Sequence, residues 1–200
     1  PKVRGAAHLE AIDEQLGLLE DACGAPLGQT RIIAIIETPR AFEVMSDIAR
    51  ASPRIAALML GGGDFALSCD SRASAEVLRV PKQLLVIAAR AAGILPLGLT
   101  GGLDVLDDLD AFERAAQQSV DMGFAGATCI HPAQVAVLNR AFMPSADEVA
   151  DASALLAAFD AARAEGRGAL RFDGRMVDAP GVTRARRVLA RHAASQRRMP

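Results

Sequence analysis

The chain has 200 residues, 51% of them hydrophobic, with 22 Lys and Arg against 24 Asp and Glu for a net charge of −2; these values describe a soluble globular protein of roughly one or two domains. It offers no basic excess, no Trp or Tyr for stacking bases, and no apolar run near the ~20 residues that span a bilayer, which argues against nucleic-acid and membrane roles. Cys23, Cys69 and Cys129 are widely spaced, odd in number and without a CxxC pattern, so they are expected to be small buried residues in a reducing, cytoplasmic setting.

In chain order, Pro1-Lys2-Val3 reads as a clipped strand and does not resemble a signal peptide. Apolar residues at Leu9, Ile12, Leu16, Leu18 and Leu19 predict a helix that ends before Gly24 and Pro26. Ile32 to Ile36 is an unbroken apolar run closed by Glu37, the pattern of a parallel strand covered on both faces. Thr38-Pro39 then turns the chain into a helix carrying Phe42, Met45 and Ile48. Ile55 to Leu60 is the next strand, followed by Gly61-Gly62-Gly63, whose bare backbone lets a ligand crowd in beside Asp64. Beyond it the pattern predicts a helix from Ala75 to Ala92, a strand from Ile94 to Leu99, a helix from Asp108 to Met122, a strand from Ala127 to Ile130 and a helix from Pro132.

This alternation predicts an α/β fold in which helices flank a parallel sheet or barrel. A closed (β/α)8 barrel needs about 250 residues and eight units. The sequence offers five, so roughly the first three strands are missing and the chain is expected to be a later segment of a longer polypeptide. Residues 1–143 are read as those five units. Residues 144–200 are read as a helix-hairpin-helix extension that covers the site rim or reaches an adjacent subunit. Its first helix, Ser145 to Glu165, opens with a Ser145/Glu148 capping box and breaks at Gly166 to Gly168. Leu170 to Phe172 and Arg175 to Asp178 flank the tight turn Asp173-Gly174 as a hairpin, and a last helix starts near Gly181.

In βα-repeat folds the chemistry collects where the strands end, and Glu37 and Asp64 both stand there. Two carboxylates at such a rim suit Mg²⁺, which leaves its other positions to water and substrate; the plainer alternative is a pair of acids that cap helices or meet an arginine. Gly61, Gly62, Gly63 and Lys2 are the candidate substrate-binding residues, although the glycines match neither a P-loop nor a dinucleotide fingerprint, and Lys2 either lies near the metal or pairs with an acid. His131, before Pro132, reads as an orienting residue that fixes a loop.

Taken in order, Pro1-Lys2-Val3, Ile36-Glu37-Thr38-Pro39, Gly61-Gly62-Gly63-Asp64-Phe65, Gly123-Phe124, Cys129-Ile130-His131-Pro132-Ala133-Gln134 and Asp173-Gly174-Arg175-Met176-Val177-Asp178 resemble the citrate lyase β-subunit-like branch of the HpcH/HpaI aldolase family over essentially the whole chain. The resemblance implies a (β/α)8 TIM barrel of the pyruvate kinase and phosphoenolpyruvate mutase type. It implies a carbon–carbon lyase that cleaves malyl-, citramalyl- or citryl-CoA into acetyl-CoA and a 2-oxoacid, with Mg²⁺ as cofactor and CoA as part of the substrate. On the family pattern Glu37 and Asp64 are the metal ligands. Asp178 is the catalytic acid/base, reaching an adjacent subunit's site, or else the cap of the helix after Pro180. A homotrimer follows from the same likeness, as does an enolate-binding Arg in a preceding portion, to which no residue here corresponds. The arginines at positions 184, 186, 187 and 191 are a solvated helix face or contacts for CoA phosphates. The chain has Gly63 where the family usually places an acid, and Ala127 where it commonly places Lys. Two alternatives stand beside the lyase: a class II aldolase acting on a free 2-oxoacid aldol, which the tail hairpin disfavours, and a degenerate non-catalytic subunit.

Overall fold

The two unbroken apolar runs become strands because parallel pairing lets both faces be covered. β1 (Ile32–Ile36) and β2 (Ile55–Leu60) pair with Ile36 opposite Leu60, and β3 (Leu95–Leu97) adds to the other side of β2, giving a three-stranded parallel sheet in the order β1-β2-β3. The structure is a computed structural model that describes residues 1–102, 107–164, 166 and 169–196. Its chain divides into two units, Pro1–Leu138 and Asn139–Pro200.

In the first unit the sheet is accompanied by α1 (Ala6–Ala22), α2 (Pro39–Glu43), α3 (Met45–Ile48), α4 (Gly62–Ser68), α5 (Ala75–Ala91) and α6 (Leu109–Met122), while α7 (Pro132–Phe142) carries the unit boundary. α5 packs on β2 and β3. Its inward face, Leu78, Leu85, Val86 and Ala89, is buried, as are Ala34, Ile36, Ala57 and Leu58 of the strands and Ile48 and Leu9 of the neighbouring helices. Each such Leu or Ile contributes roughly 1.5–3 kcal/mol by leaving water. The fold is therefore α/β, with helices around a parallel sheet, as the alternation predicts.

Two expected strands do not form. At Pro1-Lys2-Val3, Lys2 has φ 54°, outside the extended region, and its N–H goes to the Glu37 carboxylate instead of a neighbouring strand. At Ala127 to Ile130 only a single parallel bridge, Leu97 with Gly126, continues the sheet, and the Ile130 N–H turns to the Gln134 side chain at 3.1 Å. β3 is also shorter than Ile94 to Leu99: the Ile94 N–H closes the end of α5 on Ala89, and the Leu99 carbonyl is taken by Lys82. One helix was not foreseen, α4, which begins on the glycine triplet. The helix from Pro39 breaks at Val44 into α2 and α3. Cys23 and Cys69 are exposed, not buried as expected, because each sits at a helix C-cap; Cys129 is half-buried, and all three are free thiols.

At the opposite end of β2 from Glu37 and Asp64, Arg54 is buried in a bidentate pair with the equally buried Glu20 of α1, both contacts at 2.8 Å. Asp13 completes the cluster by meeting Arg54 Nε and accepting from Ser52 Oγ at 2.6 Å. Glu20 also accepts from the backbone N–H groups of Gly28 and Thr30, which ties the 23–31 loop to the helix. The Arg54 guanidinium, aided by those N–H groups, holds the Glu20 carboxyl far below the usual carboxylate range. Its stabilising effect is therefore complete above its ordinary value of 4.5 and fades as pH falls below that. Glu20→Ala removes the bidentate partner of the buried Arg54 and leaves it the Asp13 carboxylate at Nε, and is expected to lower the melting temperature at pH 7 by roughly 10 °C. Melting curves of Glu20→Gln from pH 7 to 3 should show a flatter decline below pH 4.5 than the parent.

The second unit contains α8 (Ala146–Ala164), β4 (Leu170–Phe172), β5 (Arg175–Val177) and α9 (Ala179–Gln196). The capping box forms as expected: the Ser145 N–H donates to Glu148 Oε2 at 2.8 Å and the Glu148 N–H to Ser145 Oγ at 3.1 Å. β4 and β5 are an antiparallel hairpin whose turn residues, Asp173 and Gly174, both have positive φ. α8 and α9 pack together, with Ala152, Ala162, Val182 and Ala185 buried. Glu165, Arg167 and Gly168, where the break after α8 was expected, lie outside the described residues, as do 103–106; Gly166 between them has φ 79°. Among the described residues no helix is long and apolar enough to cross a membrane.

Candidate metal centre at the strand ends

Because β1 and β2 are neighbours in register, the residues that follow them are brought side by side. Glu37 follows β1 and is 7% exposed, and Gly61 follows β2 with its N–H on the Ile36 carbonyl at 2.9 Å. The Glu37 carboxylate lies directly over Gly61, where an added Cβ would stand 2.7 Å from Oε1. Only glycine leaves that space open. Asp64 lies in the first turn of α4.

A short helix follows Glu37 and another contains Asp64, and the two helices touch. Thr38 caps α2 by accepting from the Ala41 N–H at 3.2 Å, with Pro39 at the first helical position. Phe42 of α2 meets Phe65 of α4 at 5.3 Å between ring centroids, a tilted aromatic contact.

Lys2 joins the acids from above. Its main-chain N–H donates to Glu37 Oε2, and its ammonium lies 3.8 Å from Asp64 Oδ1. Both carboxylates are thus within the span of one lysine residue. The Lys2 and Asp64 side chains are 72% and 47% exposed, so this ion pair is weak and leaves Asp64 open to another cation. No cluster of three or more His, Cys, Asp or Glu side chains suited to a metal occurs among the described residues. Two carboxylates with an open face fit Mg²⁺, which is commonly held by one or two protein carboxylates and otherwise by water and substrate; the space kept free at Gly61 accommodates the buried member of that pair.

A cavity of about 580 Å³ is lined by Asp64 with Gly61, Gly62 and Gly63, by Gly98 to Gly102, and by Leu60, Leu78 and Lys82. Sequence reading brought out the glycines and Asp64 but not Lys82, which is 6% exposed and whose ammonium burial pushes to a lower pKa. The signal was there: Lys82 falls in helical register with Leu78 and Leu85 on the apolar face of α5.

The other expected site residues make local contacts. His131 is exposed and accepts from the Ala133 N–H at 3.2 Å through Nδ1, at the entry to α7. Asp178 belongs to the second unit, where it caps α9 by accepting from the Gly181 N–H at 3.3 Å; its side chain is exposed.

Gly61→Ala gives a sharp test of the geometry. Gly61 has φ −80°, which alanine adopts freely, so the fold should survive while the Glu37 carboxylate is pushed aside. Mg²⁺ affinity measured by calorimetry is expected to fall about 10–100-fold, the scale seen when a ligand's supporting contacts are disturbed.

Residues 1–132 match the family model described as HpcH/HpaI aldolase/citrate lyase. An L-malyl-CoA/beta-methylmalyl-CoA lyase of Cereibacter sphaeroides is 34% identical over 96% of this chain, and the chain spans 65% of that enzyme's length. The citrate lyase subunit beta of Leuconostoc mesenteroides subsp. cremoris is 30% identical over 94% of the chain and 63% of its own. Among solved structures, CitE of Mycobacterium tuberculosis in complex with magnesium, acetoacetate and coenzyme A aligns with a TM-score of 0.74 at 30% identity, covering 96% of this chain and 67% of that one. A citrate lyase from Burkholderia xenovorans aligns with a TM-score of 0.82 over all of this chain and 64% of its own; at 22% identity that likeness concerns the fold.

Proposed function

This chain belongs to the HpcH/HpaI aldolase/citrate lyase family, and from that premise we propose that it is a Mg²⁺-dependent carbon–carbon lyase cleaving, or forming by condensation, a short hydroxy-dicarboxylyl-CoA such as malyl-, citramalyl- or citryl-CoA. The observation that carries the proposal is the convergence of Glu37 and Asp64 on Lys2 and the bare backbone of Gly61. The identity to a malyl-CoA lyase supports the substrate class. The three parallel strands are read as part of a (β/α)8 barrel, in keeping with a chain that spans about two thirds of its relatives. The helix-hairpin-helix extension carries Asp178 to an adjacent subunit of a homo-oligomer, a trimer by family likeness. Three free thiols suit a reducing cytoplasm.

Cleavage breaks the bond between the α and β carbons of a β-hydroxyacyl thioester. The hydroxyl loses its proton to water, the β carbon becomes the carbonyl of the 2-oxoacid, and the bonding pair passes to the thioester as an enolate, which then takes up a proton at carbon. When bound, Mg²⁺ supplies Lewis-acid polarisation of the oxoacid oxygens. Glu37 and Asp64 hold it, and Gly61 to Gly63 leave room for the oxoacid beside them. Leu60 and Leu78 give the cavity an apolar wall that keeps water from the enolate. Asp178 gives a proton to the enolate carbon in cleavage and removes it in condensation.

The test is to supply each thioester with Mg²⁺ and follow acetyl-CoA and 2-oxoacid together. Metal-dependent release of both products is expected from one of the three. Turnover of free 2-oxoacid aldols alone identifies plain aldolase chemistry instead, and a folded protein with neither turnover nor Mg²⁺ binding is a non-catalytic subunit.

A further inference from the structure

Lys82 is the charged residue on an otherwise apolar helix face, and its partners are unusual for a buried ammonium. It donates to the backbone carbonyls of Leu99 at 2.6 Å and Thr100 at 3.3 Å, with no carboxylate paired to it among the described residues. Burying a charge without a counter-charge is costly, and a methionine of similar length would fill the same space without that cost. The two carbonyls belong to Gly98–Gly102, which walls the same cavity as Gly61–Asp64. The same wall is tethered from α6: the Thr100 N–H donates to Ser119 Oγ at 2.8 Å, and Thr100 Oγ1 to the Ala115 carbonyl at 2.9 Å. Three of its five residues are glycine, so without tethers its backbone has wide freedom.

We propose that Lys82 is a positioning residue for the substrate: by binding the Leu99 and Thr100 carbonyls it fixes the Gly98–Gly102 wall and keeps those two negative dipole ends from standing uncompensated beside an anionic ligand. A carboxylate or thioester oxygen entering next to Asp64 would otherwise face carbonyl oxygens as well as an acid. With the ammonium in place, the wall carries a net positive charge. The inference rests on the lyase reading for the identity of its ligand, a 2-oxoacid.

The test compares Lys82→Met with the parent in three measurements: Mg²⁺ affinity, glyoxylate and pyruvate affinity in saturating Mg²⁺, and hydrogen exchange of the backbone amides. Exchange at residues 98–102 is expected to rise about tenfold while that of β2 is unchanged. The 2-oxoacid affinity is expected to fall about tenfold, KM rising more than kcat falls, with Mg²⁺ affinity within about twofold of the parent. Unchanged exchange and unchanged 2-oxoacid affinity in a folded variant overturn the proposal. So does faster exchange throughout the first unit with a parallel loss of Mg²⁺ affinity, which marks Lys82 as a general core residue. If Lys82→Met does not fold, Ser119→Ala loosens the same wall without touching a charge, and unaltered 2-oxoacid affinity there is equally contradictory. A parent protein that binds neither Mg²⁺ nor 2-oxoacid refutes the lyase reading, and the exchange result still decides whether Lys82 holds the wall.

Discussion

Glu37→Gln and Asp64→Asn are each expected to lower turnover of the acyl-CoA by about 10³-fold or more while leaving the fold intact, since in the proposed lyase either removes a charged metal ligand from a reaction whose polarisation depends on the metal. The amides are chosen because they preserve shape. The Glu37 carboxylate accepts the Lys2 N–H, and a glutamine carbonyl oxygen there can accept the same bond. An asparagine at position 64 keeps the first turn of α4. Melting temperatures close to that of the parent would assign the loss to the site, and activity within tenfold of the parent in both variants would mean the metal is held elsewhere.

Asp178→Asn should lower kcat by about 10²–10⁴-fold with little change in KM, the scale of general acid–base catalysis. The substitution separates the two readings of this residue cleanly. As a helix N-cap asparagine is as good as aspartate, so the Gly181 N–H keeps its acceptor and α9 its start. It cannot, however, exchange a proton. A kcat within about threefold of the parent makes Asp178 a cap and nothing more. If it acts across a subunit interface, mixing Asp178→Asn protein with Asp64→Asn protein should restore part of the activity, because some sites then pair an intact metal centre with an intact Asp178.

The parts of the structure that were legible in the sequence are those set by local pattern. Two apolar runs gave β1 and β2 and the acids that end them, and the Ser145/Glu148 capping box marked the start of α8. Asp173-Gly174 marked the hairpin because both positions need positive φ. What escaped depends on contacts distant in sequence. Nothing local shows that Gly61 must be glycine; the reason is the Glu37 side chain, which arrives from another strand. α4 was hidden because three glycines argue against a helix, and it exists because Phe65 and Ala66 are buried. The short strand expected at the start of the chain was lost to a single hydrogen bond, from Lys2 to Glu37, which also forms part of the candidate metal centre. The ion pair of Arg54 with Glu20 likewise joins residues that no sequence spacing connects.

The measurement that bears most directly on the central claim is calorimetric titration of Mg²⁺ into the protein with and without glyoxylate, oxaloacetate or pyruvate. Binding of Mg²⁺ that is strengthened by a 2-oxoacid, and lost in Glu37→Gln and Asp64→Asn, is the predicted result. A folded protein that binds no Mg²⁺, or binds it equally well in both variants, would contradict the account.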